Sequence, residues 1–113
     1  MTSPGEDTPQ LELILSNCPP EQASELARAL VLERLATCVN VIPGVTSFYW
    51  WEGEVVEDAE STLLIKTTRA RRAALVARLL ELHPYEVPEV VTVAPRDVLE
   101  RYDEWAIAST TSA

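Results

Sequence analysis

Residues 37–68 read TCVNVIPGVTSFYWWEGEVVEDAESTLLIKTT, and this run decides the fold. Residues 37–51 are β-branched and aromatic almost throughout, a composition suited to a pleated, half-buried surface. The one interruption, Pro43-Gly44, demands a bulge or bend inside a long strand. Glu52-Gly53 is the expected hairpin turn, with glycine supplying positive φ. Residues 53–68 continue as the return strand, strongest over 62–67. Phe48, Tyr49, Trp50 and Trp51 are four of the chain's seven aromatic residues. Strand alternation sends Phe48 and Trp50 to one side and Tyr49 and Trp51 to the other. Each ring buries about 150–250 Å², so the pair left uncovered approaches the roughly 400 Å² of apolar surface that a monomer tolerates. The alternative is a core strand covered on both sides, but the better reading is an oligomerisation arm with these four residues at the interface.

Outward from the hairpin the elements alternate. QLELILSN (10–17) has leucines at 11, 13 and 15 and reads as a first strand. CPPEQ then opens a helix running to about Ala36, with Ala23, Leu26, Ala27, Leu30, Val31 and Leu35 at helical spacing. Residues 69–82 read as a second helix with Ala73, Val76, Leu79 and Leu80 on its buried side, stopped by His83-Pro84. PEVVTVA (88–94) is a fourth strand. A short third helix follows over about 95–108, with Asp97 as its cap. Residues 1–9 and 109–113 read as disordered tails around one domain, 10–108. The order β-α-β-β-α-β plus a terminal helix is the α+β, ferredoxin-like sandwich, with helices on one face of an antiparallel sheet. In that topology Cys18, the hairpin tip and the loop beginning at His83 share one edge of the sheet, and Cys38 lies at the other.

Composition removes several function classes. The 113 residues carry 18 acidic and 9 basic side chains, a net charge of −9, which counts against nucleic acid and anionic membrane as partners. The three glycines are too scattered for any phosphate-binding loop. Cys18 and Cys38 form no CxxC motif, and His83 is the only histidine. No GxSxG elbow, nucleophile with an oxyanion hole, or cofactor signature accompanies it, so the expectation is a protein that is not an enzyme and requires no cofactor. MTSPGEDTP has neither a basic n-region nor an apolar stretch, and the longest apolar run is residues 73–77, so the expected location is cytoplasmic.

Two constellations remain. Cys18 and His83 on one edge would suit a soft metal such as copper, with a third ligand from Glu52, Glu86, Glu89, another subunit or water. The plain structural reading makes Cys18 a small core residue and His83 a helix stop. Lys66, the only lysine, suits either a pocket cation for an anionic ligand or a salt-bridge partner. The acids at 52, 54, 57, 58 and 60 suit a solvated rim better than a hard-cation site, because they lack EF-hand spacing.

The segments CPPEQASELARALVLERLATCVNVIPGVTSFYWWEGEVVED, LLIKT and HPYEVPEV closely resemble the CutA family of divalent-ion tolerance proteins, over about Leu11 to Trp105. The resemblance implies a ferredoxin-like homotrimer whose long hairpins clasp adjacent subunits. It also implies copper or another divalent cation as a ligand, ascribed in the family to cysteine and histidine near the end of strand one and the HPY loop. Here Leu82 precedes His83 where some members have a second histidine, and Ser16 stands where some have a cysteine. The architecture is also similar to the PII signal proteins. That similarity implies, as the alternative, a signalling or adaptor trimer binding a small anionic metabolite in an inter-subunit cleft near Lys66, Tyr85 and Glu89.

Overall fold

The computed structural model describes residues 8–111. Four strands, β1 (Leu11–Cys18), β2 (Cys38–Trp51), β3 (Glu54–Thr68) and β4 (Val91–Val93), form one antiparallel sheet in the order β2-β3-β1-β4. A 3₁₀ turn (Pro20–Gln22) leads into α1 (Ala23–Leu32), and α2 (Arg72–Leu82) and α3 (Glu100–Thr110) complete the chain. This is the ferredoxin-like α+β arrangement. Its core lies between the sheet and the first two helices, where Ile14, Cys18, Leu63 and Ile65 meet Leu26, Leu30, Leu75 and Leu79.

The hairpin outgrows the sheet. β1 pairs with β3 only as far as Cys18 opposite Ser61, whereas β2 and β3 stay paired out to Trp51 opposite Glu54. Residues 45–60 therefore project beyond the sheet as a two-stranded ribbon, giving the chain a longest dimension of 53 Å. Glu52 (φ 48°) and Gly53 (φ 83°) turn it with positive φ at both central positions, the hand that matches strand twist. At Pro43-Gly44 the register slips: Ile42 faces Thr62 but Val45 faces Glu60, so β2 carries one extra residue. The slip matters for every later side chain. Ile42 shares a face with Val45, Ser47, Tyr49 and Trp51, which uninterrupted alternation would have sent to the opposite side.

The structure corrects several boundaries. α1 ends at Leu32 and not near Ala36, because Arg34 adopts φ 61° and closes the helix: its N–H donates to the Val31 carbonyl, and the Leu35 N–H to that of Leu30. Leu35 continues the apolar spacing as the buried residue that packs beneath this cap. On α2 the buried stripe is Leu75 and Leu79, with Val76 and Leu82 partly covered, whereas Ala73 and Leu80 are exposed. β4 shrinks to the three residues that pair with Leu13–Leu15, between Pro88 and Pro95. Residues 95–99 stay irregular, and α3 starts without a side-chain cap from Asp97. Ser109 and Thr110 belong to α3 and not to a tail; Ser109 shares a hydrogen bond with Thr37, and Thr110 is buried. The remaining tail residues, 1–7 and 112–113, lie outside the described residues. α3 is tied to the sheet by Asp103, whose carboxylate accepts the N–H groups of Gln10 (3.0 Å) and Leu11 (2.8 Å).

Gly44 sits at φ +73° with open space around its Cα. Gly44→Ala should therefore cost about 1 kcal/mol through backbone strain alone, without any clash. Chemical denaturation checks this; an unchanged midpoint would show that the bulge does not depend on glycine.

Candidate functional site

The two faces of the sheet are unequal. On the helix-covered face, β1 and β3 contribute Ile14, Cys18, Leu63 and Ile65, all fully buried. The opposite face carries Leu13, Leu15, Leu64, Ile42, Val91 and Val93, and no helix lies over its upper half. Ile42, Val91 and Val93 are each more than 40% exposed. The same face continues past Val45, Ser47, Glu60 and Asp58 onto Tyr49 and Trp51 of the hairpin, while Phe48 and Trp50 extend from its other side. Phe48 and Trp50 are the most exposed aromatic residues of the arm, at 67% and 74%.

Between the projecting hairpin and the loop after α2 lies an open cleft of about 770 Å³. Ser47, Phe48, Tyr49, Trp50, Trp51 and Glu60 form one wall, and Asn17 with Pro84, Tyr85, Glu86, Val87 and Glu89 form the other. Its frame is a short hydrogen-bonded chain. Pro84 frees His83 from the helix, and the His83 ring turns back over the end of β1, where Nε2–H donates to the Asn17 carbonyl at 2.8 Å. Nδ1 accepts the Tyr85 N–H at 3.2 Å, and the two rings pack with centroids 4.8 Å apart. The Tyr85 hydroxyl then donates to Glu60 Oε2 at 2.7 Å, crossing from the loop to the hairpin. Burial pushes the Tyr85 phenol well above its usual range, and the Glu60 hydrogen bond and nearby carboxylate charges push it further, so it remains a donor.

The expected residues divide as follows. Cys18 and His83 do reach one edge, joined through Asn17, and Cys38 lies at the other end of the sheet, level with Leu13 and Lys66. The pair nevertheless does not fit a copper centre as it stands. Both His83 nitrogens are engaged, in the Nε2–H tautomer, leaving no lone pair for a metal. Cys18 is fully buried in the core, and burial, aided by Glu60 and Glu21, holds its thiol above its ordinary pKa, opposing the thiolate that a metal needs. Among the described residues, no three His, Cys, Asp or Glu side chains converge to hold a metal ion. The hairpin acids alternate between its faces, and Asp58 accepts a hydrogen bond from the Tyr49 hydroxyl.

Tyr85 and Glu89 line the cleft together with all four hairpin aromatics. Lys66 does not. It lies six residues further along β3 than Glu60, roughly 20 Å away at strand spacing, so one chain does not bring it to Tyr85 and Glu89. Reading the sequence misses Glu60 as a cleft residue. The available signal is its place in step with Thr62 and Leu64, on the face opposite the helices.

Comparison with known proteins gives a consistent picture. The model of a family described as "CutA1 divalent ion tolerance protein" matches residues 12–109. The divalent-cation tolerance protein CutA of Thermus thermophilus is 48% identical over 95 residues, which is 83% of this chain and 92% of that protein. The chain spans only 50% of the mouse and human CutA proteins, to which it is 44% identical over 78% of its own length. Among solved structures, CutA from Xylella fastidiosa superposes with a TM-score of 0.87 at 39% identity, covering 90% of this chain and 99% of that one. A PII-like protein CutA from Nostoc superposes at 0.85, also at 39% identity, covering 88% and 97%.

The occupied nitrogens of His83 and the buried thiol lead to a direct test. Copper titrations of the wild type, Cys18→Ala and His83→Gln should return the same affinity. A loss of about tenfold or more in both variants would mean that the pair opens to hold copper.

Proposed function

The chain belongs to the CutA1 divalent ion tolerance family, and from that premise we propose that it works as a non-enzymatic, cytoplasmic homotrimer in the response to divalent metal ions. The observation that carries the trimer is the uncovered apolar sheet face continuing onto the aromatic hairpin. An exposed apolar surface of this extent is characteristic of an interface between subunits. A ribbon of two strands is also marginal in water unless something packs against it. Neighbouring copies supply that packing, with the hairpin reaching across to an adjacent subunit. The free cysteines, Cys18 and Cys38, held at opposite ends of the sheet, accord with a reducing compartment.

The ligand-binding part of the role falls to the cleft and not to the Cys18–His83 pair. The cleft brings sequence-distant aromatic and acidic side chains together around open volume. It lies at the base of the arm, where a neighbouring subunit would border it. The PII-like description of the Nostoc structure accords with a binding protein that reports the state of such a cleft to a partner. An anionic ligand is a poorer match, because Lys66 is remote and the lining carboxylates repel it.

If the arm holds the assembly together, replacing both Trp50 and Trp51 by alanine should raise the dissociation constant by about 1,000-fold, since buried interface tryptophans each contribute about 2 kcal/mol or more. Light scattering behind a sizing column across a dilution series reads this directly. Cells lacking the protein should also lose tolerance to elevated copper and regain it with the wild type but not the double variant. Unchanged assembly would remove the arm from the interface, and unchanged copper tolerance would remove the physiological role.

A further inference from the structure

Residues 84–89, between α2 and β4, form an irregular strap across the end of β1. Pro84, Glu86, Val87 and Glu89 are exposed. Among the described residues, no backbone–backbone hydrogen bond joins this strap to the rest of the fold. Two hydrogen bonds hold it, and Tyr85 makes both: its N–H donates to His83 Nδ1 at 3.2 Å and its hydroxyl to Glu60 Oε2 at 2.7 Å. Pro84 and Pro88, each with fixed φ and no N–H to donate, stand near its two ends. We propose that the strap is a gate, latched by the Tyr85–Glu60 hydrogen bond, whose opening exposes the thiol of Cys18 while the rest of the chain stays folded.

The placement of the latch identifies what it covers. β1 ends at Cys18, opposite Ser61, and beyond that row β3 is paired with β2 alone. His83 bonds the carbonyl of Asn17, and Glu60 is the residue next to Ser61, so the latch sits on the last row of β1. Cys18 is a free cysteine with no exposed surface, and it belongs to the core below that row. Releasing Tyr85 uncovers this row without touching the ladder between β1 and β3 or the packing of the two helices, because no backbone–backbone hydrogen bond of theirs passes through 84–89.

The cost of opening is set by few contacts. They are one short hydrogen bond to a carboxylate, one weaker bond to an imidazole nitrogen, and the His83–Tyr85 ring contact at 4.8 Å. Segments held this sparsely open locally at a free energy below that of global unfolding. Every hydrogen bond of the latch lies within one chain, so the latch is complete before any neighbouring copy is added. The closed strap keeps soft electrophiles from the thiol, and the open strap admits them.

The assembled protein carrying Cys38→Ser has Cys18 as its one thiol and provides the test. Labelling by N-ethylmaleimide is followed by mass spectrometry at fixed pH, with light scattering on the same samples to monitor assembly. The labelling rate should be nearly independent of urea well below the unfolding midpoint, since a local opening exposes little surface. Tyr85→Phe, which deletes the hydroxyl and keeps the ring, should speed labelling about tenfold or more while leaving the urea midpoint nearly unchanged. Hydrogen exchange of the residue-85 amide should quicken by a similar factor, because that N–H leaves its His83 acceptor when the strap opens. A labelling rate that climbs with urea along the slope of global unfolding would overturn the proposal, whether or not Tyr85→Phe folds. An unchanged rate in a folded Tyr85→Phe would overturn it as well, as would labelling that begins only when dilution dissociates the assembly.

Discussion

A four-stranded sheet with helices on one side must still dispose of its other side. Here the second face carries Leu13, Leu15, Leu64, Ile42, Val91 and Val93, and α3 reaches only its lower end. The helix-covered face supplies one small core, centred on Ile14, Leu63 and Ile65 against Leu30, Leu75 and Leu79. A chain of this size gains little by leaving a second apolar layer wet. The unpartnered face thus accounts for the long hairpin, the exposed tryptophans and the expectation of neighbouring subunits within one physical frame.

The bulge at Pro43-Gly44 connects that frame to the cleft. By adding one residue to β2 it carries the open face of the sheet, with Val45 opposite Glu60, onto Tyr49 and Trp51. Without it those rings would point to the opposite side, and the wall facing Tyr85 would be built from other residues. The His83 ring performs the matching task on the loop. Its two hydrogen bonds fix the turn after α2, and Tyr85 then bridges to Glu60. The lone histidine of the chain is accordingly a framing residue for the cleft. Its chemistry is spent on backbone groups, and this is what separates the geometry from a metal site.

Much of this was legible in the sequence, and the exceptions have identifiable causes. Pro43-Gly44 and Glu52-Gly53 announce the bulge and the turn because proline and glycine restrict or extend the backbone locally. The ferredoxin-like order follows from the alternation of periods along the chain. The end of α1 was hidden because Arg34, and not glycine, occupies the left-handed cap, while Leu35 prolongs the apolar spacing. The face of α2 was ambiguous because eight apolar residues in 73–82 allow more than one stripe. The Asp103 anchor and the Tyr85–Glu60 bridge join residues 92 and 25 positions apart, and no local pattern encodes such pairings. The distance of Lys66 from Tyr85 and Glu89 within one chain depends on strand register, which becomes fixed only when β3 is aligned with both neighbours.

On the proposed function, copies of the same chain cover the open face. Sedimentation equilibrium of the wild-type protein, from micromolar to nanomolar concentration, measures this most directly. The expected result is a single species of three times the chain mass throughout the micromolar range. A stable monomer at micromolar concentration, with Trp50 and the Ile42 face in water, would contradict it.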